Sequence, residues 1–222
     1  MNRSIAIDGP SGAGKSTIAK GAAKILGGDY LDTGAMYRAV GLYMLKNNVD
    51  LNDPAAIEAA LPNADVNVRF DYSDVQHTFV NGVDVSKLLR TNDVSMAASA
   101  VGAVGAVRKA LVKKQQELAN EMFLICDGRD IGSVVMPDAA LKIYLTADAE
   151  ERARRRFNEM EDKSMGFEAV LNDINQRDYN DTHREVSPLV RTEDAVVIDS
   201  THMSIEEVVA EVTRLYRERI PE

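Results

Sequence analysis

A glycine-rich segment near the start of the chain limits the folds that this sequence can adopt. Residues 9–16 read Gly-Pro-Ser-Gly-Ala-Gly-Lys-Ser and fit the pattern G-x-x-x-x-G-K-[ST]. The segment follows a short apolar run, residues 4–8, and precedes a stretch, residues 15–26, with apolar residues at helical spacing. Strand, loop and helix in this order are the context in which the pattern binds phosphate, so the sequence predicts a nucleotide-binding α/β protein.

The chemistry of this loop indicates ATP and Mg²⁺ as ligands. Its glycines allow successive backbone N–H groups to face phosphate oxygens, and the following helix presents its positive dipole end to the same anion. Lys15 is expected to bridge the β- and γ-phosphates, Ser16 to bind Mg²⁺ and Thr17 to contact the α-phosphate. The predicted nucleotide-binding residues are Gly9, Pro10, Ser11, Gly12, Ala13, Gly14, Lys15, Ser16 and Thr17.

Other uses of such a loop fit this sequence less well. A glycine-rich turn without a ligand would not require the flanking strand and helix. A GTPase would need an Asn-Lys-x-Asp segment to read guanine, and the sequence has none. An ATPase motor would need an oligomeric or transducing apparatus that 222 residues hardly accommodate. A phosphotransferase is the interpretation that remains.

Composition and charge narrow the class of protein further. With 26 Lys and Arg residues against 35 Asp and Glu residues, the formal net charge is −9, which disfavours nonspecific binding to nucleic acid or anionic lipid. The single cysteine, Cys126, cannot form an internal disulfide, and the sequence begins with no secretory signal and contains no membrane-spanning apolar run. We therefore expect a cytoplasmic protein that binds neither nucleic acid nor membrane, and we also expect a monomer.

Strand and helix patterns alternate along the chain. The expected strands lie at 4–8, 30–31, 122–126, 141–145 and 195–198. The expected helices lie at 15–26, 34–46, 95–120, 149–160, 166–182 and 204–219. Thr33 is expected to cap the second helix, and alternation between residues 62 and 89, around the turn pair Asn81-Gly82, predicts a small antiparallel insert. The order predicts a five-stranded, mainly parallel sheet wrapped by helices.

Arginine residues outside the loop are expected to hold a second anion. A phosphotransferase must place its acceptor opposite the donor and neutralise the charge on the transferred group. Arg38 follows a predicted strand, where α/β sheets present ligand-binding loops. Arg129 and Asp130 follow the buried 122–126 strand and could clamp a phosphate and read a base amino group together. A structural ion pair between them is the alternative.

A basic helix near residue 150 is a candidate lid. Arg152 and Arg156 share one of its faces within a cluster of four arginines, and a solvated surface is the usual explanation of such a cluster. Here a glycine-containing stretch, residues 160–166, and a second helix follow. That helix carries three functional groups at i, i+4 and i+7: Arg177, Asp181 and Arg184. The combination favours a hinged arginine lid.

Together these segments resemble the bacterial cytidylate kinase family. The resemblance rests on residues 9–17, Asp-Thr-Gly-Ala-Met-Tyr-Arg at 32–38, Asp-Gly-Arg-Asp-Ile-Gly at 127–132 and Arg-Asp-x-x-Asp-x-x-Arg at 177–184. It extends over nearly the whole chain. The antiparallel insert is similar to the extra sheet that sets this family apart from adenylate and shikimate kinases.

The resemblance implies a P-loop nucleoside-monophosphate-kinase fold with three α/β/α layers and a helical lid. The implied parts are a core at about 1–33, 121–149 and 185–222, a monophosphate-binding arm at about 34–120 and a lid at about 150–184. Two positions depart from the family pattern. Gly105 stands where the family commonly has proline, so the start of the local helix is not fixed by a proline ring. Asn180 replaces a residue that is often basic in the family, which would weaken contact with phosphate.

The resemblance also implies roles for individual residues. Arg38, Arg129 and Arg177 are expected to hold the CMP phosphate, and Asp181 is expected to meet the sugar. The residues expected around cytosine are Ser99, Arg108, Asp130 and Arg184, with Thr33 touching the same pocket.

We therefore expect transfer of the γ-phosphate of ATP to CMP and dCMP, giving CDP and dCDP, with Mg²⁺ bound. The expected catalytic residues are Lys15, Arg129, Arg152 and Arg156, of which the last two are the preferred lid cations. Another small acceptor, such as UMP, AMP or shikimate, and a nonenzymatic ATP-binding module remain as alternatives.

Overall fold

The computed structural model describes residues 3–72, 75–160 and 166–220. Its strands are β1 (Ile5–Asp8), β2 (Asp29–Asp32), β3 (Val66–Phe70), β4 (Gln76–Val80), β5 (Val83–Asp84), β6 (Leu124–Gly128), β7 (Leu141–Thr146) and β8 (Val196–Asp199). Its α-helices are α1 (Lys15–Leu26), α2 (Thr33–Lys46), α3 (Pro54–Ala60), α4 (Asn92–Gly102), α5 (Gly105–Glu121), α6 (Ala149–Glu159), α7 (Phe167–His183) and α8 (Ile205–Arg219). A π-helical turn, Ile131–Val135, follows β6.

The main sheet is parallel throughout and has the strand order β2-β6-β1-β7-β8. Alternate residues of β1 enter different cores, as expected when a strand is covered on both faces. Ile5 and Ile7 pack with residues of α1 and α8, whereas Ala6 packs with residues of α2, α4 and α5. The sheet is therefore the middle of three layers. The predicted α/β fold, with its parallel five-stranded sheet and small antiparallel insert, is confirmed.

The strand register brings the ends of three strands together at one edge. Asp8 of β1 lies beside Gly128 of β6, and Asp127 of β6 lies beside Asp32 of β2. The loops after these strands therefore open next to one another. Ligands of open α/β sheets bind outside the carboxyl ends of the strands, so this edge positions the candidate site.

The antiparallel insert forms a sheet of its own, with the order β3-β4-β5. The turn from β4 to β5 passes through Asn81 and Gly82, whose φ angles are 50° and 78°. Positive φ at both central residues is the pattern of a tight hairpin turn. Val66 and Val80 are buried and face α2, so the insert packs on the same helix that begins at the site.

The prediction of one helix over residues 95–120 is wrong. Helix α4 ends at Gly102, α5 begins at Gly105, and the two helices are bent by 98° at the break. Val104 between them is extended, with φ −86° and ψ 120°, and its side chain is buried. Helix α4 packs closely on α2, since a Cβ on Gly41 would lie 2.9 Å from the Cβ of Ala97. Packing against α2 therefore overrides the helical pattern of the segment.

The prediction that Thr33 caps α2 is also wrong. The cap is Asp32, whose Oδ1 accepts the N–H of Ala35 at 2.8 Å. The Thr33 hydroxyl instead donates to the carbonyl oxygen of Asp127 at 2.8 Å. A carboxylate at the cap also suits the positive end of the helix dipole, which explains why Asp32 takes the place predicted for the hydroxyl.

Two further elements differ from the sequence prediction. Helix α3 is not predicted, although Asp53 as its cap and Pro54 at its first position are typical of a helix start. Strand β6 spans 124–128 instead of 122–126, so it extends to the aspartate and glycine that follow the apolar run.

Part of the predicted lid hinge lies outside the described residues, which omit 161–165. The division into core, arm and lid therefore stays a prediction. Within the described residues, no single helix is long and apolar enough to span a bilayer. Helices α4 and α5 meet these two criteria only when they are counted together across their bend.

Two glycines at helix ends allow the same substitution to be tested in opposite backbone conformations. Gly105 begins α5 with helical geometry, whereas Gly27 ends α1 with φ 69°, and an added Cβ would meet nothing within 4 Å at either position. Gly105→Ala should raise the free energy of unfolding by about 0.4–1 kcal/mol, because it lowers the entropy of the unfolded chain. Gly27→Ala should lower it by about 1–2 kcal/mol, because a left-handed alanine is strained. Denaturant titration of both variants measures the difference, and changes of the same sign would contradict it.

Candidate active site

Three glycines shape the loop between β1 and α1. Gly9, Gly12 and Gly14 have φ angles of 153°, 74° and 85°, which L side chains rarely adopt. A Cβ on Gly9 would lie 2.0 Å from the carbonyl oxygen of Leu145, and a Cβ on Gly12 would lie 3.1 Å from the Cβ of Arg152. The loop backbone is therefore pressed against β7 and α6, with the amino end of α1 directly behind it.

Lys15 lies inside this loop and is only 6% exposed. Its Nζ donates to the carbonyl oxygen of Pro10 at 2.7 Å. Burial, together with the positive charge of Arg129, lowers the pKa of Lys15 to about 7. The ammonium group is thus poorly compensated without an anion, and a phosphate beside it would restore its full charge.

A buried carboxylate near the end of β6 faces the loop. Asp127 accepts hydrogen bonds from the Ser16 hydroxyl at 2.9 Å and from the Tyr30 hydroxyl at 2.8 Å. Burial, and then the negative charge of Asp32, raises the pKa of Asp127. A hydroxyl and a carboxylate oxygen are the hard ligands that Mg²⁺ prefers, and a dication there would supply the missing positive charge. The pair therefore fits a Mg²⁺ site.

Asp127 is absent from the residues predicted from sequence, which give Ser16 as the only metal ligand. The signal for it is an aspartate that ends the apolar strand beside the loop strand, as in other proteins with this kind of loop. The pairing of β6 with β1 places this aspartate beside the phosphate loop, and that pairing is seen only in the folded sheet.

A second buried carboxylate, Asp8, connects β1 to the turn after β6. Its two oxygens accept the backbone N–H groups of Ile131 at 2.8 Å and Gly132 at 2.7 Å. Burial raises the pKa of Asp8 to about 6, against the lowering effect of these two bonds. Because Arg129 and Asp130 directly precede this turn, Asp8 fixes their position relative to the phosphate loop.

Several of the predicted acceptor residues meet in one charged network. Asp130 is 6% exposed, and its Oδ2 accepts a hydrogen bond from Arg108 Nη2 while its Oδ1 lies 3.8 Å from Arg184 Nη2. Arg129 Nε donates to Asp181 Oδ2 at 2.5 Å. Arg184 joins the two pairs, because its Nη1 lies 3.7 Å from Asp181 Oδ1. Residues from α5, the β6 end and α7 are thereby brought together at one side of the loop.

Arg38 lies at the start of α2 and is held by residues of the neighbouring elements. Its Nη2 donates to Asp32 Oδ2 at 2.7 Å. The side-chain amide of Gln76, on β4, accepts the Asp32 N–H at 2.7 Å and donates to the Asp32 carbonyl oxygen at 3.3 Å. The insert thus anchors the segment that carries Arg38. Gln76 is absent from the sequence prediction, and no motif indicates it.

Three other predicted residues are placed differently. Ser99 is exposed on α4. Arg177 is 40% exposed, and its Nε lies 3.0 Å from Asp173 Oδ2 of the same helix. Thr33 is buried, and its hydroxyl is bonded to the Asp127 carbonyl group as described above. In the described residues, none of these three forms a hydrogen bond or an ion pair with Asp130.

The two preferred lid arginines also differ from each other. Arg152 is buried against the loop, where its Nε donates to the Ala147 carbonyl oxygen and its Nη1 to the Ser11 carbonyl oxygen, each at 2.8 Å. Arg156, one helical turn later, is exposed, and the described residues offer it no ion pair. Only Arg152 therefore contacts the phosphate loop in this conformation.

Comparisons with known proteins identify one family and several relatives. The family described as cytidylate kinase matches residues 5–218. A cytidylate kinase from Caldicellulosiruptor saccharolyticus is 50% identical over 214 residues, which cover 96% of this chain and 94% of the relative. One from Caldanaerobacter subterraneus subsp. tengcongensis is 46% identical over 215 residues, with 96% and 94% covered. The crystal structure of an uncharacterized protein from Eubacterium ventriosum ATCC 27560 shares the fold, with a TM-score of 0.54, 11% identity and 98% and 99% of the two chains covered.

The lowered pKa of Lys15 predicts a pH dependence of nucleotide binding. Below about pH 7 the ammonium is already charged, whereas above it binding must take up a proton, so affinity should fall as pH rises, by up to about tenfold per pH unit. Calorimetric titration with a nonhydrolysable ATP analogue on both sides of neutrality measures this slope. Lys15→Arg is the control, since its guanidinium stays protonated and its affinity should not show the fall. Equal slopes in the two proteins would contradict the assignment.

Proposed function

We propose that this chain, which belongs to the cytidylate kinase family, transfers the γ-phosphate of ATP to CMP and dCMP and releases CDP and dCDP. The chain is a nucleoside monophosphate kinase by family, and the identity of its donor and acceptors is the proposal. The observation that carries it is the position of Asp130, buried between Arg108 and Arg184 at the end of the strand beside the phosphate loop.

The donor is proposed to lie along the loop, with its phosphates on the backbone amides and beside Lys15. Charge on the transferred group spreads over its oxygens in the transition state, and cations fixed before the reaction stabilise it without further reorganisation. Lys15 and Arg152 are the cations placed against the loop. A Mg²⁺ ion bound near Ser16 and Asp127 would supply additional positive charge on the phosphates.

The acceptor is proposed to bind on the side of the loop where β6 and β2 end. Its phosphate would meet Arg38, Arg129 and Arg177, and its sugar would meet Asp181. Arg38 and Arg129 are each paired with a carboxylate, so an incoming phosphate must compete with Asp32 and Asp181 for them. Arg177, on the exposed side of α7, would have to leave Asp173.

The base is proposed to be read by Asp130, with Ser99, Arg108, Arg184 and Thr33 around it. A carboxylate accepts hydrogen bonds only, so it favours the exocyclic amino group of cytosine and disfavours the carbonyl group that uracil carries at that place. Leaving a buried carboxylate against a carbonyl oxygen costs about 1–3 kcal/mol or more. Contact with the amino group would therefore let the site distinguish cytosine from uracil, in addition to strengthening the binding of cytosine.

The chemistry requires positioning more than acid–base catalysis. The acceptor phosphate oxygen is already an anion, so no residue has to remove a proton from it before it attacks. The chain's own contribution is to hold both nucleotides in line, to exclude water and to surround the transferred group with Lys15, Arg129 and the lid cations. We place this activity in the cytoplasm and assign it to a monomer, with small-molecule nucleotides as its only substrates.

Acceptor specificity provides the direct test. A coupled assay of ADP production with Mg²⁺·ATP and each of CMP, dCMP, UMP, AMP, GMP and shikimate should give turnover on CMP and dCMP well above the others. Asp130→Asn should narrow the gap between CMP and UMP by about tenfold or more, because an amide can also donate to a carbonyl oxygen.

Lys15→Ala serves as the blank of this assay. Preference for another acceptor would leave the donor site intact and overturn the base-reading role of Asp130. No turnover on any of the six would favour the alternative of a nonenzymatic ATP-binding module.

The two lid arginines can be separated by kinetics. Both share one face of α6, and Arg152→Ala and Arg156→Ala should each lower kcat by about 10²-fold, because each removes a cation that stabilises the transition state. The exposed Arg154, paired with Glu151 on the same helix, provides the control Arg154→Ala, which should leave kcat unchanged. A variant at 152 or 156 that keeps full kcat removes that residue from the catalytic set.

A further inference from the structure

Asp178 of α7 is not among the residues assigned so far, yet both of its carboxylate oxygens are bound at the phosphate loop. Oδ1 accepts the backbone N–H of Ser11 at 3.1 Å, and Oδ2 accepts Arg152 Nη1 at 2.5 Å. The same Arg152 nitrogen donates to the Ser11 carbonyl oxygen at 2.8 Å. These three hydrogen bonds close a ring that joins α7, α6 and the loop, and we refer to it as the Ser11–Arg152–Asp178 ring.

The ring determines how Arg152 is oriented. Its Nε is bound to the Ala147 carbonyl oxygen, and both hydrogens of Nη1 are taken by the ring. Among the described residues nothing binds Nη2, so that edge of the guanidinium is available to a further anion. Without Asp178, the side chain would keep only contacts to carbonyl oxygens, which hold a guanidinium less strongly than a carboxylate does.

The packing around the ring shows why it forms. Ile174, one turn before Asp178, is buried, and its Cδ1 would lie 3.4 Å from a Cβ on Gly12. Asp181, nearly one turn after Asp178, binds Arg129. Residues three and four apart share a helix face, so one face of α7 meets the donor loop and the acceptor network together. The contacts of Ile174 and Asp181, on either side of Asp178 along the helix, therefore hold Asp178 against the phosphate loop.

We propose that Asp178 is a positioning residue for the transfer reaction, which aligns Arg152 and the phosphate loop when α7 is docked on them. The inference rests on the proposed function but concerns only its donor side. Asp178 has no direct role in contacting the substrates, and as an anion beside a triphosphate it is unfavourable on its own. Its benefit therefore depends on Arg152 being present.

This dependence gives a double-mutant test in which the loss of kcat disappears when Arg152 is absent. In the otherwise native chain, Asp178→Ala should lower kcat by about 10²-fold, because a displacement of about 1 Å in a positioned group has an effect of that size. In the Arg152→Ala background, the same substitution should leave kcat unchanged or raise it, because it removes an unpaired carboxylate near the phosphates. Asp178→Asn should fall between, since its amide oxygen can still accept the Ser11 N–H.

Controls separate positioning from a general loss of structure. Glu168→Gln removes an exposed carboxylate from the same helix and should leave kcat unchanged. Losses that multiply in the double variant, or an Asp178→Ala variant with native kcat, would overturn the proposal. The native chain, Asp178→Ala, Arg152→Ala and the double variant can also be titrated with a nonhydrolysable ATP analogue, which needs no acceptor. Asp178→Ala should weaken binding of the analogue only when Arg152 is present. If CMP is not the acceptor, the proposed function fails while this binding cycle still decides the role of Asp178.

Discussion

The pairing of arginines with carboxylates at the carboxyl edge of the sheet holds the parts of this protein together. Asp130 binds Arg108 of α5, and Asp181 of α7 binds Arg129, which follows β6. A charged side chain can be buried in these pairs only because its partner compensates its charge. Removing one partner of a buried pair typically costs about 3–5 kcal/mol, whereas replacing both costs little. Such pairs are therefore poor sources of stability but effective constraints on how α5 and α7 sit over the sheet.

The fold was predictable because it depends on patterns that are local in sequence. The loop motif between Ser4 and Leu26, the apolar strands and the turn pair Asn81-Gly82 each define their structure within about 20 residues. The prediction failed where tertiary packing decided the outcome. Helical spacing continues through residues 95–120, whereas the chain bends by 98° between α4 and α5, and α4 packs closely on α2 at Gly41. The choice of Asp32 over Thr33 as a cap likewise follows from what surrounds each side chain.

The candidate site was predictable in its composition but not in its connections. Motifs identified the cations and Asp130, but a motif does not say which partner each side chain has in the fold. Asp127, Asp178 and Gln76 each form a hydrogen bond to a residue that is 111, 167 or 44 positions away, respectively, and the spacing along the chain does not indicate these bonds. Arg152 and Arg156 share a helix face, yet one is buried and the other exposed, because the loop reaches only the first of them.

The amide of Gln76 has a further consequence, which concerns the rim of the main sheet. Strand β2 is the outermost strand on its side, and such a strand offers unpaired backbone groups to any other extended chain. Gln76 occupies the N–H and the carbonyl group of Asp32, much as a neighbouring strand would. The insert that anchors the Arg38 segment therefore also covers the outer edge of β2 at Asp32, where another extended chain would otherwise pair. A nucleotide kinase without this insert would need another way to shield its first crossover strand from aggregation.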